Sequence, residues 1–408
     1  MRSKDFRNTI VRAVLNETTV DARCLHATEC GGCAFQDRAY AGQVAAKAAI
    51  LNELWNTVAL QPERPEPQPE IELVPSPDPF AYRTRMDYVA TKGRFGLRMR
   101  GRFNYIIELE TCHLIPPMAF AAVRTLWLRA QELGLPDYNV RSHEGFLRYL
   151  VVRRSPDNEL LLAAVTAAGP YEAEIAQLAD LALAQPGVIG FHWLLNDTLT
   201  DLSFGTPLRH WGAATLPMQV GANTLQIGPN TFFQNNVHLL LPLLDAVKAA
   251  VSGANCPESE DARELPAVAD LYGGVGAIAL HLAPVVRRVV SVESVIESAD
   301  LVRQNIALNR ASNVIAETAD VAAFLRNQAT KSLDIAVADP PRTGMGPEVC
   351  SELLRLAPRR IVYVSCNPLT QIEDLRQLVP AYRLTLLRGY DMFPHTPHVE
   401  MLAVLDAV

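Results

Sequence analysis

The sequence predicts an α/β fold, with a mostly parallel sheet in the C-terminal half and a smaller α+β domain before it. Three observations lead there. Short apolar runs at 268–271, 288–292, 335–338 and 361–364 alternate with helical stretches, the pattern of βα units. The first run enters a glycine turn, Asp270-Leu271-Tyr272-Gly273-Gly274-Val275-Gly276, followed by a helical run at 277–282. Three of the four runs end on a residue with chemistry to offer: Glu293, Asp339 and Cys366. Open α/β sheets build their sites at these carboxyl ends.

Bulk properties narrow the class. A chain of 408 residues with 49% hydrophobic content is long enough for two or three cores. The longest leucine-rich run, 239–244, is broken by Pro242, and no apolar stretch reaches the length that spans a bilayer. The first twenty residues carry charges throughout and lack a signal-peptide core, so a cytoplasmic location and no membrane partner are expected. A net charge of -7 argues against wholesale coating of nucleic acid. A local basic ribbon stands out even so. Arg83, Arg85, Lys92, Arg94, Arg98, Arg100 and Arg102 face one acid, Asp87, with Tyr82, Tyr88, Phe95 and Phe103 interleaved. Such a ribbon suits phosphates and unpaired bases; the alternative is a solvated sheet face.

The chain divides into an N-terminal segment (1–60) with a helix from 40, a proline-rich linker (61–80), a central α+β domain (81–215) and a C-terminal domain (216–408). Helices are expected at 119–133, 171–185 and 236–251, with an acidic loop at 253–266. No internal repeat is present.

Chemistry concentrates at strand ends. Cys366 closes an apolar run and is followed by Asn367-Pro368; Asp339-Pro340-Pro341-Arg342 closes another. Glu400 stands 34 positions after the cysteine, beside His395 and His398; packing accounts for the two histidines as well as catalysis does. In the glycine loop, a carboxylate at the tip of the second strand, Glu293, suits the hydroxyls of a ribose, and Asp320 suits an adenine edge. Without a strict Gly-x-Gly-x-x-Gly, these features fit S-adenosylmethionine better than a nicotinamide dinucleotide. At the front, Cys24, Cys30 and Cys33 form Cys-x5-Cys-Gly-Gly-Cys, and Cys112 follows 79 positions later. Four thiols in a cytosolic chain point to metal rather than disulfides, and either zinc or an iron–sulfur cluster fits. The Cys-x3-Cys-x2-Cys of radical enzymes is missing. Cys256 and Cys350 have no matching partners.

Together these residues resemble the RNA uracil-5-methyltransferase family over nearly the whole chain. The resemblance rests on the cysteine pattern, Phe232-Phe233-Gln234-Asn235-Asn236, the glycine loop, Asp339-Pro340-Pro341-Arg342, Ser365-Cys366-Asn367 and the stretch from Asp391 to Glu400. It implies a Rossmann-like S-adenosylmethionine-dependent methyltransferase domain behind an N-terminal and central α+β part carrying an iron–sulfur site. By that resemblance, Cys24, Cys30, Cys33 and Cys112 hold a [4Fe-4S] cluster. Gln234, Tyr272, Glu293, Asp320 and Asp339 line the methyl-donor pocket, Cys366 is the nucleophile and Glu400 the base. The implied partner is RNA, with 23S rRNA favoured and tRNA the alternative, and a monomer is expected. The chain departs from the pattern at Gly273, usually cysteine, and at Ala277, often asparagine. Only 23 residues precede Cys24, too few for the β-barrel that opens many members, which is likest to the shorter 23S rRNA enzymes.

The chemistry explains the residue types. Carbon 5 of uracil is a weak nucleophile; a thiolate adding at C6 loads electron density onto it, and a base then removes the C5 proton. Such a thiol is expected near positive potential, from Arg342 or a helix end. A catalytically silent RNA-binding module with structural zinc would not need Cys366 and Glu400. A DNA cytosine-5 enzyme would carry its thiol in a Pro-Cys pair, absent here.

Overall fold

The computed structural model describes residues 2–58, 69–253 and 265–408. At the front, helix α1 (Ser3–Leu15) presents Phe6, Ile10 and Val14 on one buried stripe, the spacing of an amphipathic helix. Helix α2 (Tyr40–Asn56) packs against it. Both helices share a core with Leu271, Leu353, Tyr363 and Met401 of the C-terminal domain. The N-terminal segment therefore covers one face of the C-terminal sheet. Within the proline-rich stretch, residues 61–68 lie outside the described residues, and Glu72–Val74 forms strand β1 rather than a free connector.

The central domain is a seven-stranded sheet of β2 (Arg85–Thr91), β3 (Arg94–Met99), β4 (Arg102–Glu108), β5 (Leu147–Arg154), β6 (Leu160–Thr166), β7 (Val188–Leu195) and β8 (Thr206–Gly212). Its order is β4-β3-β2-β5-β6-β7-β8. All neighbours are antiparallel except β6 and β7, the pair that needs a crossover helix. Helices α3 (Pro117–Glu132) and α4 (Glu172–Leu183) cover the sheet around Phe95, Phe120 and Trp127. A short hairpin, β9 (Leu216–Val220) and β10 (Asn223–Ile227), and helix α5 (Leu240–Ser252) lead into the C-terminal domain. The helix starts later than the sequence predicts. Asn236 is spent in a turn, its Oδ1 accepting from the His238 and Leu239 N–H groups at 2.9 and 3.2 Å.

The C-terminal sheet follows as β11 (Ala267–Leu271), α6 (Ala277–Leu282), β12 (Arg288–Glu293), α7 (Ile296–Leu308), β13 (Val314–Thr318), α8 (Val321–Arg326), β14 (Ile335–Ala338), α9 (Gly346–Leu356), β15 (Arg360–Ser365), α10 (Pro368–Leu378), β16 (Tyr382–Tyr390) and β17 (Glu400–Ala407). Its order is β1-β16-β17-β15-β14-β11-β12-β13. Only β17 runs against its neighbours. The order reverses between β11 and β14, which opens a crevice at the carboxyl ends of those strands. Glu293, Asp339 and Cys366 all lie at that edge. Among the described residues, no helix is long and apolar enough to cross a membrane.

Candidate active site and four-cysteine site

The glycine turn after β11 is held in left-handed backbone, with φ of 64° at Tyr272, 57° at Gly274 and 88° at Gly276. Glu293 closes it from β12, accepting from Gly274 N–H at 3.0 Å and Val295 N–H at 2.7 Å. The departure at Gly273 has a local cause. Ser291 Oγ donates to Asp270 Oδ2 at 3.0 Å, and a Cβ at Gly273 would sit 2.0 Å from that hydroxyl. Any larger residue there collides with Ser291. Asp270, which the sequence presents only as part of the loop, is fully buried, its Oδ1 has no partner among the described residues, and burial raises its carboxyl to about 7.

Gln234, Tyr272 and Asp339 line one small cavity of about 40 Å³ with Gly273 and Gly274. Gln234 Nε2 donates to Asp339 Oδ2 at 2.9 Å, while burial raises the Asp339 carboxyl to about 6. Asp320 stands at the rim. One of its oxygens caps α8, accepting from Ala323 N–H at 3.0 Å. Its charge reaches the Tyr272 phenol, which burial first and Asp320 next push upward.

Cys366 and Glu400 meet through strand register. β15 and β17 pair antiparallel up to Ser365 opposite Met401, and Cys366 and Glu400 are the next residues past the end of that ladder. Beyond that end the Glu400 charge still acts on the Cys366 thiol. Glu400 is 2% exposed and its Oε1 has no hydrogen-bond partner among the described residues. Burial, and then Asp339, raise its carboxyl well above the ordinary range against the pull of Arg342. The Cys366 thiol is pushed up to about 11, by burial first and Glu400 second, although Arg342 bonds to it. The positive neighbour the sequence called for is therefore present, as is the start of α10 two residues on. Burial outweighs both, so the resting thiol is neutral.

The loop before Glu400 is clamped from the front of the chain. Lys47 and Asp391 form an ion pair at 2.6 Å with both side chains fully buried. Lys47 also reaches the carbonyls of Phe393 and His398 at 3.5 and 3.3 Å. Tyr40 donates to Asp391 at 2.9 Å, and Tyr82 to the Pro394 carbonyl at 3.2 Å. His395 sits in left-handed backbone at φ 62°, buried against Tyr40 and Phe80. Its ring lies 3.1 Å from Gln43 Nε2, and burial lowers it to about 4. That is a packing role. His398 differs, because it lines the cavity that holds Cys366.

Cys24, Cys30, Cys33 and Cys112 lie within electrostatic reach: Cys24 and Cys112 act on Cys30, Cys30 and Cys112 on Cys33, and Cys24 on Cys112. Burial pushes Cys30 up to about 11 and Cys33 to about 12. Donors nevertheless point at the sulfurs: Gly32 N–H to Cys30 at 3.4 Å and Gln36 Nε2 to Cys33 at 3.1 Å. Arg83 acts on Cys33 and Cys112, and Arg100 on Cys30, in the sense that favours thiolate. Donors and cations around sulfur fit ionised ligands. Among the described residues, however, no three Cys, His, Asp or Glu side chains converge as ligands of one metal ion. Cys256 lies outside the described residues, and Cys350 is buried in the core.

A model of the tRNA (uracil-5-)-methyltransferase family matches residues 230–408. A tRNA (uracil(54)-C(5))-methyltransferase of Pyrococcus abyssi is 31% identical over 95% of this chain and 86% of its own. The chain belongs to the RNA uracil-5-methyltransferase family. The enzyme is thus an S-adenosylmethionine-dependent transferase acting on RNA. An uncharacterized RNA methyltransferase of Nitratidesulfovibrio vulgaris is 32% identical over 99% of this chain and 86% of its own. The crystal structure of the P. abyssi enzyme in complex with S-adenosyl-L-homocysteine superposes with a TM-score of 0.75, at 29% identity, over 92% of this chain and 84% of that one. The mixed α/β methyltransferase fold is shared.

Much of the enzyme's basic ribbon is spent internally. Arg85 pairs with Asp87 at 2.8 Å, and Arg98 pairs with Asp201. Arg100 donates to the Ala27 and Cys33 carbonyls at 2.8 and 2.5 Å, tying β3 to the cysteine segment. Sequence reasoning missed these partners because Asp201 and the Ala27 carbonyl lie far away along the chain. It also missed α1, although the Phe6, Ile10, Val14 spacing would have signalled a helix.

Proposed function

We propose that the enzyme methylates C5 of a uridine in RNA through a covalent bond from Cys366 to C6. The single observation that supports this most is Glu400, a buried carboxyl with an oxygen unpartnered among the described residues, set beside the Cys366 thiol just past the end of the β15–β17 ladder. When bound, S-adenosylmethionine supplies an electrophilic methyl group on a sulfonium. Gln234, Tyr272, Glu293, Asp320 and Asp339 are proposed to hold it: Glu293 for the ribose, Asp320 for the adenine, and Asp339 and Gln234 toward the reacting end. Cys366 first gives its proton to solvent; its thiolate then adds to C6 as the C5=C6 π pair moves to the ring carbonyl, and C5 would take the methyl group as the donor's carbon–sulfur bond pair stays on sulfur, leaving a neutral thioether. Glu400, as carboxylate, removes the C5 proton, and the electron pair returns to expel the sulfur. A positive charge arriving beside Asp339 and Glu400 favours the ionised carboxylates that burial disfavours.

Four cysteines are proposed to bind a [4Fe-4S] cluster. Four cysteines can hold zinc or a cluster; the paired glycines between Cys30 and Cys33, which bring backbone close to the sulfurs, and the facing cations support the latter. A brown preparation with iron and sulfide is the expected finding, and stoichiometric zinc without iron would overturn it. The RNA is proposed to be 23S rRNA and the enzyme a monomer. The second reading, tRNA, is favoured by the name of the Pyrococcus relative. Mapping 5-methyluridine in rRNA and tRNA from a deletion strain separates the two. For the mechanism, Glu400→Gln is expected to accumulate a protein–RNA adduct on a denaturing gel, with turnover down about 10²–10⁴-fold. Lost activity without adduct would remove Glu400 from the base role.

A further inference from the structure

The cavity holding Cys366, of about 260 Å³, is walled on one side by α1, through Ser3, Phe6 and Arg7. None of its lining residues is acidic, and two are cationic, Arg7 and Arg342. Asn367, next to the nucleophile, ties this wall in place. Its amide donates to the Arg342 carbonyl at 3.0 Å and to Ser3 Oγ at 3.3 Å. Arg342 is committed to the thiol. Arg7 is half-buried, one turn from Ser3 on the same face of α1, and has no carboxylate or carbonyl partner among the described residues. Pro397 and His398 line both this cavity and a wider one of about 690 Å³, where Arg85, Arg98 and Arg100 are already paired. A uridine with C6 against Cys366 brings its own backbone phosphates to this mouth, where, among the described residues, Arg7 is the unpaired cation of the nucleophile's own cavity and Arg102 that of the wider one.

We propose that Arg7 of α1 binds a phosphodiester of the RNA strand beside the target uridine, making the N-terminal helix one wall of the substrate site. This rests on the reading of the enzyme as acting on RNA through Cys366. The anion belongs to the polynucleotide rather than to the methyl donor, because the donor pocket opens at Gly273 and Gly274, around Tyr272.

The test compares Arg7→Gln with Arg12→Gln. Arg12 is an exposed cation on the same helix whose side chain bonds to the Asn8 carbonyl. The probe is a transcript that the wild-type enzyme methylates. Loss of a charge-assisted phosphate contact is expected to weaken RNA binding about tenfold and to flatten the slope of log K against log salt by about 0.7. kcat at saturating RNA stays within about threefold of wild type, because the contact is made equally before and during reaction. Arg12→Gln changes neither slope nor affinity, and Arg7→Lys restores the slope, which a merely structural role would not require. An unchanged slope and KM in Arg7→Gln, with methylation intact, overturns this inference alone. Failure of the wild type to methylate any RNA overturns the underlying reading as well.

Discussion

Two sets of cysteines in this enzyme are raised by burial to similar degrees, Cys366 to about 11 and Cys30 and Cys33 to about 11 and 12. Their neighbours are opposite in kind. Around the front four stand N–H donors and the cations Arg83 and Arg100, with no carboxylate among the groups that act on Cys30 and Cys33. Around Cys366 stand Glu400 and Asp339, opposed by Arg342. On the proposed reading, a thiol that serves as a cluster ligand is given donors and cations that offset part of the burial. On the same reading, a nucleophile that ionises only during turnover is given groups whose own charge changes. Burial alone does not distinguish the two tasks; the sign of the neighbours does.

The contrast can be broken most severely at the nucleophile. Cys366→Ala is expected to lower methylation by about 10⁴-fold or more while S-adenosylmethionine binding, read by calorimetry, is kept. Cys33→Ala should do the reverse in kind, losing bound iron and about 5–10 °C of melting temperature before any effect on the donor site. Equal loss of donor binding in both variants would erase the distinction.

The two sites are joined through the loop before Glu400, so the next largest effect is there. Ala34 N–H, next to Cys33, donates to the His395 carbonyl at 2.6 Å, and Lys47 with Asp391 holds the loop from below. Lys47→Met leaves Asp391 buried and unpaired, which costs about 3–5 kcal/mol in denaturant unfolding. Adduct yield in the Glu400→Gln background should fall with it; an unaffected yield would mean that the loop holds its place without the ion pair.

A smaller effect sharpens the donor side. Gly273→Cys drives a side chain into Ser291 and is expected to cost about 1–3 kcal/mol. Adding Ser291→Ala should recover more than half of that, and no recovery would remove Ser291 as the cause. The smallest effect is in pH. A thiol raised to about 11 is protonated through neutral pH, so its thiolate fraction grows about tenfold per pH unit below that value. Single-turnover adduct formation should rise with that slope between about pH 6.5 and 8.5. A flat profile would show that the proton leaves after RNA binds.

Legibility followed distance along the chain. The strands at 335–338 and 361–364 are apolar runs of fixed length, and both appear within one residue of where the sequence places them. The basic ribbon misled for the complementary reason: Arg98 reads as a free cation until Asp201, 103 positions on, is brought beside it.

What the sequence by itself determined is local and chemical: alternating runs that must form βα units, a glycine turn that only small residues can make, and the thiol and carboxylate types the chemistry requires. Tertiary structure alone decided who stands next to whom. Cys366 beside Glu400, Lys47 paired with Asp391, and Arg7 in the wall of the cavity that holds Cys366 all depend on strand pairing and helix docking. Register is set by burying whole faces, and burial then fixes the protonation of groups whose identity the sequence had already declared.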